Sequence, residues 1–238
     1  MSKEFGLLGK VVLVESNKKR IMAIGDLHLG YEASLNASGV FVTRTLLETM
    51  MSELKNVFER TGKVDEIVLL GDVKHTFGNI LREEWKDTDK IISFLKENCY
   101  KIIVIKGNHD VLTEVIGKRV GFEVVDKYIV GDTGFIHGDR DFKELWEKEV
   151  KRVILGHLHP AIFISDSVKR EKYKCFLKGE YNKKEFLIVP SFISANEGTD
   201  MRDYETDLPW KLSLENFEVY IVGEDLEVLK FGKLKNII

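Results

Sequence analysis

A chain of 238 residues is long enough to bury a sizeable core and lies in the size range of one α/β domain, so residues 1–238 are read as a single domain. Charged residues make up 32% of the chain yet nearly cancel, to −3, which excludes a global polyanion- or membrane-binding surface and leaves any basic surface local. Cys99 and Cys175 stand in unrelated contexts, which argues against a disulfide framework; with no apolar leader and no run of about 18 apolar residues, the expectation is a soluble, cytoplasmic protein without membrane contact.

Leu7 to Val14 and Arg20 to Ile24 are rich in Val and Ile and separated by a polar stretch, which reads as an opening hairpin. The second strand runs into Gly25-Asp26-Leu27-His28. From Thr43 to Arg60, apolar residues recur at spacings of three and four, a helix with one face on a sheet. Val64 to Leu70 is a buried strand stopping at Gly71-Asp72-Val73-Lys74-His75, and a second amphipathic helix spans Arg82 to Asn98. Ile102 to Ile105 then leads into Gly107-Asn108-His109-Asp110. Strand and helix alternate to this point, the order of stacked βαβ units with a parallel sheet. Beyond Asp110 the elements shorten: a helical turn or two over Val111 to Ile116, strands at Phe122 to Val125, Tyr128 to Val130 and Phe135 to Ile136, and a short helix around Phe142 to Val150. Val153 to Leu155 delivers Gly156-His157-Leu158-His159. Strands near 161–164, 172–178, 185–189, 217–222 and 226–231 complete a second, more antiparallel sheet.

These strand ends carry Asp26 and His28, Asp72, Asn108 and His109, His137, and His157 and His159. In α/β sheets the carboxyl ends of strands converge on the crevice where ligands bind. The pairs Asp26/His28 and His157/His159 are two residues apart, which in an extended segment puts both side chains on one face, each pair gripping one site from one side. A lone histidine at a strand end is more often structural than a ligand. All six histidines of the chain, however, fall in these strand-end loops. Two aspartates, one asparagine and four histidines, setting His109 aside, form a mixed nitrogen and oxygen donor set suited to manganese, iron or zinc. Seven donors exceed one four-coordinate ion and suit two ions sharing a carboxylate, with Asp72 as the bridge; such pairs lie about 3.5–4 Å apart and hold a phosphoester between them. Asp110 reads as a turn cap or an orienter of His109, and His75 as either a substrate contact or a partner of a backbone carbonyl.

The ordered set Asp-x-His, Gly-Asp, Gly-Asn-His-Asp, His and Gly-His-x-His, spanning Asp26 to His159, resembles the calcineurin-like dinuclear metallophosphoesterase superfamily. The resemblance implies a four-layer α/β/β/α sandwich of two mixed sheets, with two divalent metals at the edge between them. Manganese is the expected metal, with iron, zinc and nickel as alternatives. By motif, Asp26, His28, Asp72 and His159 would hold the first metal, and Asp72, Asn108, His137 and His157 the second. His109 would stabilise the phosphoryl transition state or protonate the leaving oxygen. Within the superfamily the chain looks most like archaeal phosphoesterases related to the exonuclease SbcD and the bacterial ligase-associated DNA damage response endonucleases. The run Gly71 to His75 resembles the Gly-Asp-x-x-His of break-repair nucleases, whose extra histidine contacts substrate, and Val189-Pro190-Ser191-Phe192 resembles a segment that follows the last motif.

The first expectation is therefore a metal-dependent phosphodiesterase, a nuclease linked to DNA repair acting on DNA or RNA. The alternative is a phosphoesterase for cyclic nucleotides or phosphomonoesters, and the third reading is a non-catalytic scaffold of the same fold. Lys169, Arg170, Lys172, Lys174, Lys178, Lys183 and Lys184 stand against only Glu171 and Glu180, a run that would attract a phosphate backbone or would simply solvate an edge hairpin. The acidic segment from Asn196 to Asp207 would discourage long polyanions or bind a partner, and the apolar ending Ile237-Ile238 is the sequence's one pointer to a homodimer.

Overall fold

The computed structural model describes residues 5–76, 82–110, 113–165, 169–195, 198–202 and 207–237. The first sheet has strand order β1-β2-β3-β4-β5-β6, built from β1 (Gly6–Leu8), β2 (Val11–Ser16), β3 (Lys19–Ile24), β4 (Val64–Leu69), β5 (Cys99–Ile105) and β6 (Glu123–Val125). β1, β2 and β3 pair antiparallel, and β3 through β6 run parallel. The strand expected over Leu7 to Val14 is thus two strands. Gly9, in the left-handed region at φ 52°, turns the chain back so that Leu8 pairs with Val11. Asn17 and Lys18, at φ 49° and 61°, form the two-residue turn that fits the twist of the β2–β3 hairpin.

The second sheet contains β7 (Tyr128–Val130), β8 (Thr133–Ile136), β9 (Arg152–Leu155), β10 (Pro160–Ser165), β11 (Arg170–Tyr181), β12 (Lys184–Ile188) and the short β13 (Thr199–Asp200), in the order β13-β10-β11-β12-β9-β8-β7. β14 (Glu218–Val222) pairs with β11 and β15 (Val228–Lys233) with β14. The β8–β9 and β9–β12 pairs are parallel, so the sheet is mixed.

Alternation along the strands builds the layers. In β4 and the residue after it, Ile67 and Leu69 face a cluster with Met50, Leu54 and Val57 of one helix and Ile91, Ile92 and Leu95 of another, while Val68 and Leu70 face the second sheet. Those helices are the ones the periodicity predicts, observed at Leu46–Thr61 and Arg82–Glu97. Ile21, Ala23, Val68 and Ile103 of the first sheet meet Phe135, Ile154, Phe176 and Leu187 of the second, all fully buried. Strands buried on both faces read as continuous apolar runs for this reason. Two further helices follow strands of the first sheet in sequence: Tyr31–Ala37, which the pattern did not reveal, and Thr113–Val120, which lies against β6 and is longer than the expected turn or two. In chain order the four are α1 (Tyr31–Ala37), α2 (Leu46–Thr61), α3 (Arg82–Glu97) and α4 (Thr113–Val120).

The architecture is α/β with two mixed sheets, as the sequence predicts. Among the described residues the outer layer on the second sheet is a 3-10 turn at Lys143–Trp146 and an irregular segment rather than α-helix. The reason is in the pattern: Leu208, Trp210, Leu212 and Leu214 are buried with exposed residues between them, the period of extended chain. Ile237 packs on this same core, so it gives no support to a dimer, and Ile238 lies outside the described residues. Cys99 and Cys175 are buried free thiols. Among the described residues no helix is long and apolar enough to cross a membrane.

Candidate metal centre

The parallel strands β3, β4 and β5 end at Asp26/His28, Asp72/His75 and Asn108/His109, and the parallel pair β8 and β9 ends at His137 and His157/His159. Their carboxyl ends meet at one edge of the sandwich. Asp72 Oδ2 lies 3.9 Å from His28 Nε2, 3.7 Å from His137 Nε2 and 3.9 Å from His109 Nε2. On one side of it, His159 Nε2 is 3.4 Å from His28 Nε2 and 3.2 Å from Asp26 Oδ1. On the other, His137 Nε2 is 3.0 Å from Asn108 Oδ1 and 3.1 Å from His157 Nδ1.

Three features of this geometry fit divalent cations. Donors ~2.1 Å from a tetrahedral ion stand roughly 3.4 Å from one another, the range these pairs occupy. Lone-pair atoms brought this close repel unless a proton or a cation lies between them. Asp26 Oδ1 is buried and meets no donor in hydrogen-bonding geometry, an arrangement that is costly for a carboxylate without a cation. Two sets, Asp26/His28/His159 and Asp26/Asp72/His137, each offer donors within 4.8 Å of one another. A third such set, His28/His75/His109, includes both histidines that the sequence reading kept outside the ligand sets.

The local backbone is strained where these side chains turn inward. His28, Asp72, His157 and His159 have φ of 43°, 46°, 68° and 47°, a left-handed conformation costing roughly 1–2 kcal/mol for a non-glycine residue. The expectation that each two-apart pair lies along an extended segment is therefore corrected. The kinks send His157 toward His137 and His159 toward Asp26, so one pair serves both sides of Asp72. Close approach also dictates Gly107: a Cβ there would fall 2.3 Å from Asp72 Oδ1.

Burial pushes the Asp72 carboxyl up to about 7, reinforced by Asp26 and Asp110 and opposed by His137. Burial would also raise Asp26, but His159, His137 and His28 outweigh it and hold the carboxyl below the usual range. Burial drives His28 down to about 3, so its ring is neutral and its lone pair available at neutral pH. His137 is raised because Asp26 and Asp72 overcome its burial, and its Nδ1–H donates to Leu70 O at 2.8 Å, turning Nε2 toward Asn108.

His109 donates from Nδ1 to the carbonyl of His75 at 2.7 Å, which aims Nε2 at Asp72, and burial lowers its pKa. The His75 ring stacks on His109 with centroids 5.9 Å apart and meets Tyr31 edge-on. Asp110, fully buried, accepts from the backbone N–H of Val73 at 3.2 Å and of Gly107 at 3.0 Å, tying the Asp72 loop to the Asn108 loop. The Val189–Phe192 segment backs Asp26: Phe192 N–H donates to Asp26 O at 2.9 Å, and Lys10 holds Phe192 O at 2.5 Å.

Residues the motif reading passed over complete the surroundings. Lys74 and Glu84 are fully buried; Lys74 donates to Thr76 O, and Glu84 accepts from Thr76 N–H at 3.0 Å, fixing the loop that carries the His75 carbonyl. A lysine between two motif positions was the available signal. The donors open into a cleft of ≈ 650 Å³ that Tyr31, Lys172, Ile193 and Ala195 also line.

The basic run does not form a continuous surface. Lys174 binds Ser191 O at 2.7 Å, Ser191 Oγ at 2.8 Å and Ile193 O, and Lys184 binds Glu147 O at 2.7 Å and Val150 O at 2.5 Å. Lys178 pairs with Glu185 at 2.9 Å, Lys169 pairs with Glu171, and Arg170 lies 4.0 Å over the Phe163 ring. In the acidic segment, Asp200 pairs with Arg202 at 2.7 Å and Asp207 approaches His157 at 3.2 Å, while Glu197, Asp203, Tyr204 and Glu205 lie outside the described residues.

Fold and donor set together define a metal-dependent hydrolase of phosphoesters. A family model described as calcineurin-like phosphoesterase matches residues 19–223, and the chain belongs to that family. Among solved structures, it is similar to the nuclease MPE of Pseudomonas putida, at 15% identity over 93% of this chain and 100% of that one, with a TM-score of 0.61. It also matches zinc-complexed Vps29 of Entamoeba histolytica, at 15% identity over 89% and 97% of the two chains with a TM-score of 0.42. A predicted phosphoesterase of Streptococcus pneumoniae matches at 18% identity over 89% and 94%, with a TM-score of 0.35. At these identities the likeness is one of fold. No curated protein matches the sequence.

Proposed function

We propose that the protein is a phosphodiesterase of nucleic acids, a nuclease with a repair role, using two divalent ions, manganese foremost. The observation that carries the two-ion reading is Asp72 Oδ2, within 3.9 Å of His28 and of His109 and 3.7 Å from His137, the position of an oxygen shared between two donor sets. In this reading Asp26, His28, Asp72 and His159 hold one ion, and Asp72, Asn108, His137 and His157 the other. Bound there, the pair would supply an activated water and neutralise the phosphoryl oxygens. Two carboxylates among four neutral imidazoles leave a doubly dicationic site net positive, suited to an anionic ester.

The side chains then divide the remaining work. His75 carbonyl fixes the His109 ring through Nδ1–H, leaving Nε2 to take up a proton as the phosphate anion enters and to pass it to the leaving oxygen. A pKa lowered by burial makes that proton easy to release. The fold likeness to the Pseudomonas nuclease supports a nucleic-acid substrate. A second reading, hydrolysis of small phosphoesters, draws on the internal engagement of Lys174, Lys178 and Lys184.

The test is hydrolysis of a bis-aryl phosphodiester, an aryl monoester, a cyclic nucleotide and single- and double-stranded DNA, with manganese or chelator, beside His109→Ala. Manganese-dependent DNA cutting that falls roughly 10²–10⁴-fold in the variant is expected. Turnover confined to the small esters would transfer the conclusion to the second reading.

A further inference from the structure

Residues 191–194 follow β12 as irregular chain, and Ser191, Phe192 and Ile193 are fully buried. Buried carbonyls outside a sheet ladder need other donors, and two lysines supply them in alternation. Lys174 Nζ donates to Ser191 O at 2.7 Å, to Ser191 Oγ at 2.8 Å and to Ile193 O; Lys10 Nζ donates to Phe192 O at 2.5 Å and to Ser194 Oγ at 3.2 Å. The two ammoniums come from both sheets. Lys10 follows the Gly9 turn between β1 and β2 and pairs with Glu53 of α2 at 2.7 Å, while Lys174 stands on β11 opposite Ala161 of β10. The segment they hold fixes the backbone of Asp26: Phe192 N–H donates to Asp26 O at 2.9 Å and Ile193 N–H at 3.4 Å. Just before it, Pro190 O packs so closely on Gly25 that a Cβ there would fall 2.3 Å away.

We propose that Lys10 and Lys174 are positioning residues of the metal centre, a two-lysine clamp that sets the Asp26 carboxylate through the backbone of residues 191–194. This rests on the two-ion reading above and is independent of the substrate. An apolar side chain could fill the same space, but only an ammonium brings several N–H donors to fixed points on successive residues. Burial lowers the pKa of both lysines, helped at Lys174 by the neighbouring Lys10; Glu53 opposes it at both, and Asp26 opposes it at Lys174. The clamp therefore carries a desolvation cost and lies within the field of the carboxylate it positions. Lys184 supplies an internal reference. It is a buried lysine at the start of β12, the end opposite residues 191–194, and binds Glu147 O at 2.7 Å and Val150 O at 2.5 Å.

The experiment titrates manganese into metal-free wild-type protein, Lys174→Met, Lys10→Met, Glu53→Gln and Lys184→Met by calorimetry, with a thermal melt of each. Lys174→Met and Lys10→Met are expected to weaken one of the two ions roughly 10–100-fold, the scale of losing a group that orients a ligand, and to leave the other unchanged. Glu53→Gln, which alters a partner of Lys10 on the rim of the open cavity rather than the clamp itself, should weaken the same ion by up to about fivefold. Lys184→Met should lower the melting temperature and leave both affinities as in wild type. Folded Lys174→Met and Lys10→Met that hold both ions as wild type does overturn the clamp; where neither folds, unchanged affinity in Glu53→Gln overturns it. The same weakening in Lys184→Met overturns it too, since loss of any buried lysine would then have the same effect. Wild-type protein that takes up fewer than two ions overturns the two-ion reading, and the proposal with it.

Discussion

Between the sheets, Val68, Ile103, Phe135 and Phe176 lie in regular strands with apolar neighbours. Just past the ends of two such strands, Asp72 after β4 and His157 and His159 after β9 take left-handed backbone angles and crowd buried carboxylates against imidazoles. The first region stabilises the fold; the second is held in place by it at a cost in conformation and desolvation. The proposed metal site thus lies where the chain is least favourable, and its geometry depends on the rigidity of the strands behind it.

The largest separation of the two regions is expected at Asp72. Asp72→Asn should lower hydrolysis on the order of 10³-fold, the scale of removing a preorganised electrostatic partner, while leaving the thermal midpoint of metal-free protein unchanged or higher. Thermal melts with chelator beside kinetics with manganese check both halves. Phe176→Ala makes the opposite change: a loss of about 3–5 kcal/mol in denaturant unfolding, with turnover per folded molecule retained. Equal damage to both properties by either variant would dissolve the distinction.

Gly107→Ala probes the boundary. The added Cβ would lie 2.3 Å from Asp72 Oδ1, so metal affinity should fall roughly 10–100-fold, measured by calorimetric titration, with a smaller effect on melting. The smallest effect lies far from the site. Burial would raise Asp132, but the Arg152 hydrogen bond and charge bring it below the usual carboxylate value. A depressed carboxyl contributes stability above its unfolded value, lost as pH falls through its folded one. Asp132→Asn should therefore cost roughly 0.2–1 kcal/mol at neutral pH, a gap that closes in acid. Unfolding curves at pH 7 and in acid compare them.

The sequence made some of this legible and hid the rest for identifiable reasons. Buried parallel strands announce themselves as apolar runs, and β3, β4, β5, β8 and β9 each run into a glycine or histidine motif, so these strand ends could be read directly. The helices Leu46–Thr61 and Arg82–Glu97 carry their period in the pattern. The turn at Gly9 was hidden because apolar residues continue on both sides of it. Left-handed angles at His28, His157 and His159 have no signature in residue type, so spacing alone suggested pairs that share a side. The partners of the lysine run were hidden for a third reason: the carbonyls that receive Lys174 and Lys184 lie 17 to 37 positions away, and only the folded chain brings them near.

Metal content is the most direct test of the central claim, that one carboxylate joins two donor sets. Purified wild-type protein reconstituted with manganese and freed of excess ion should carry two ions per chain by elemental analysis. His109→Ala should keep both, and Asp72→Asn should weaken both together. One ion per wild-type chain, or selective loss of a single ion in Asp72→Asn, would contradict the account.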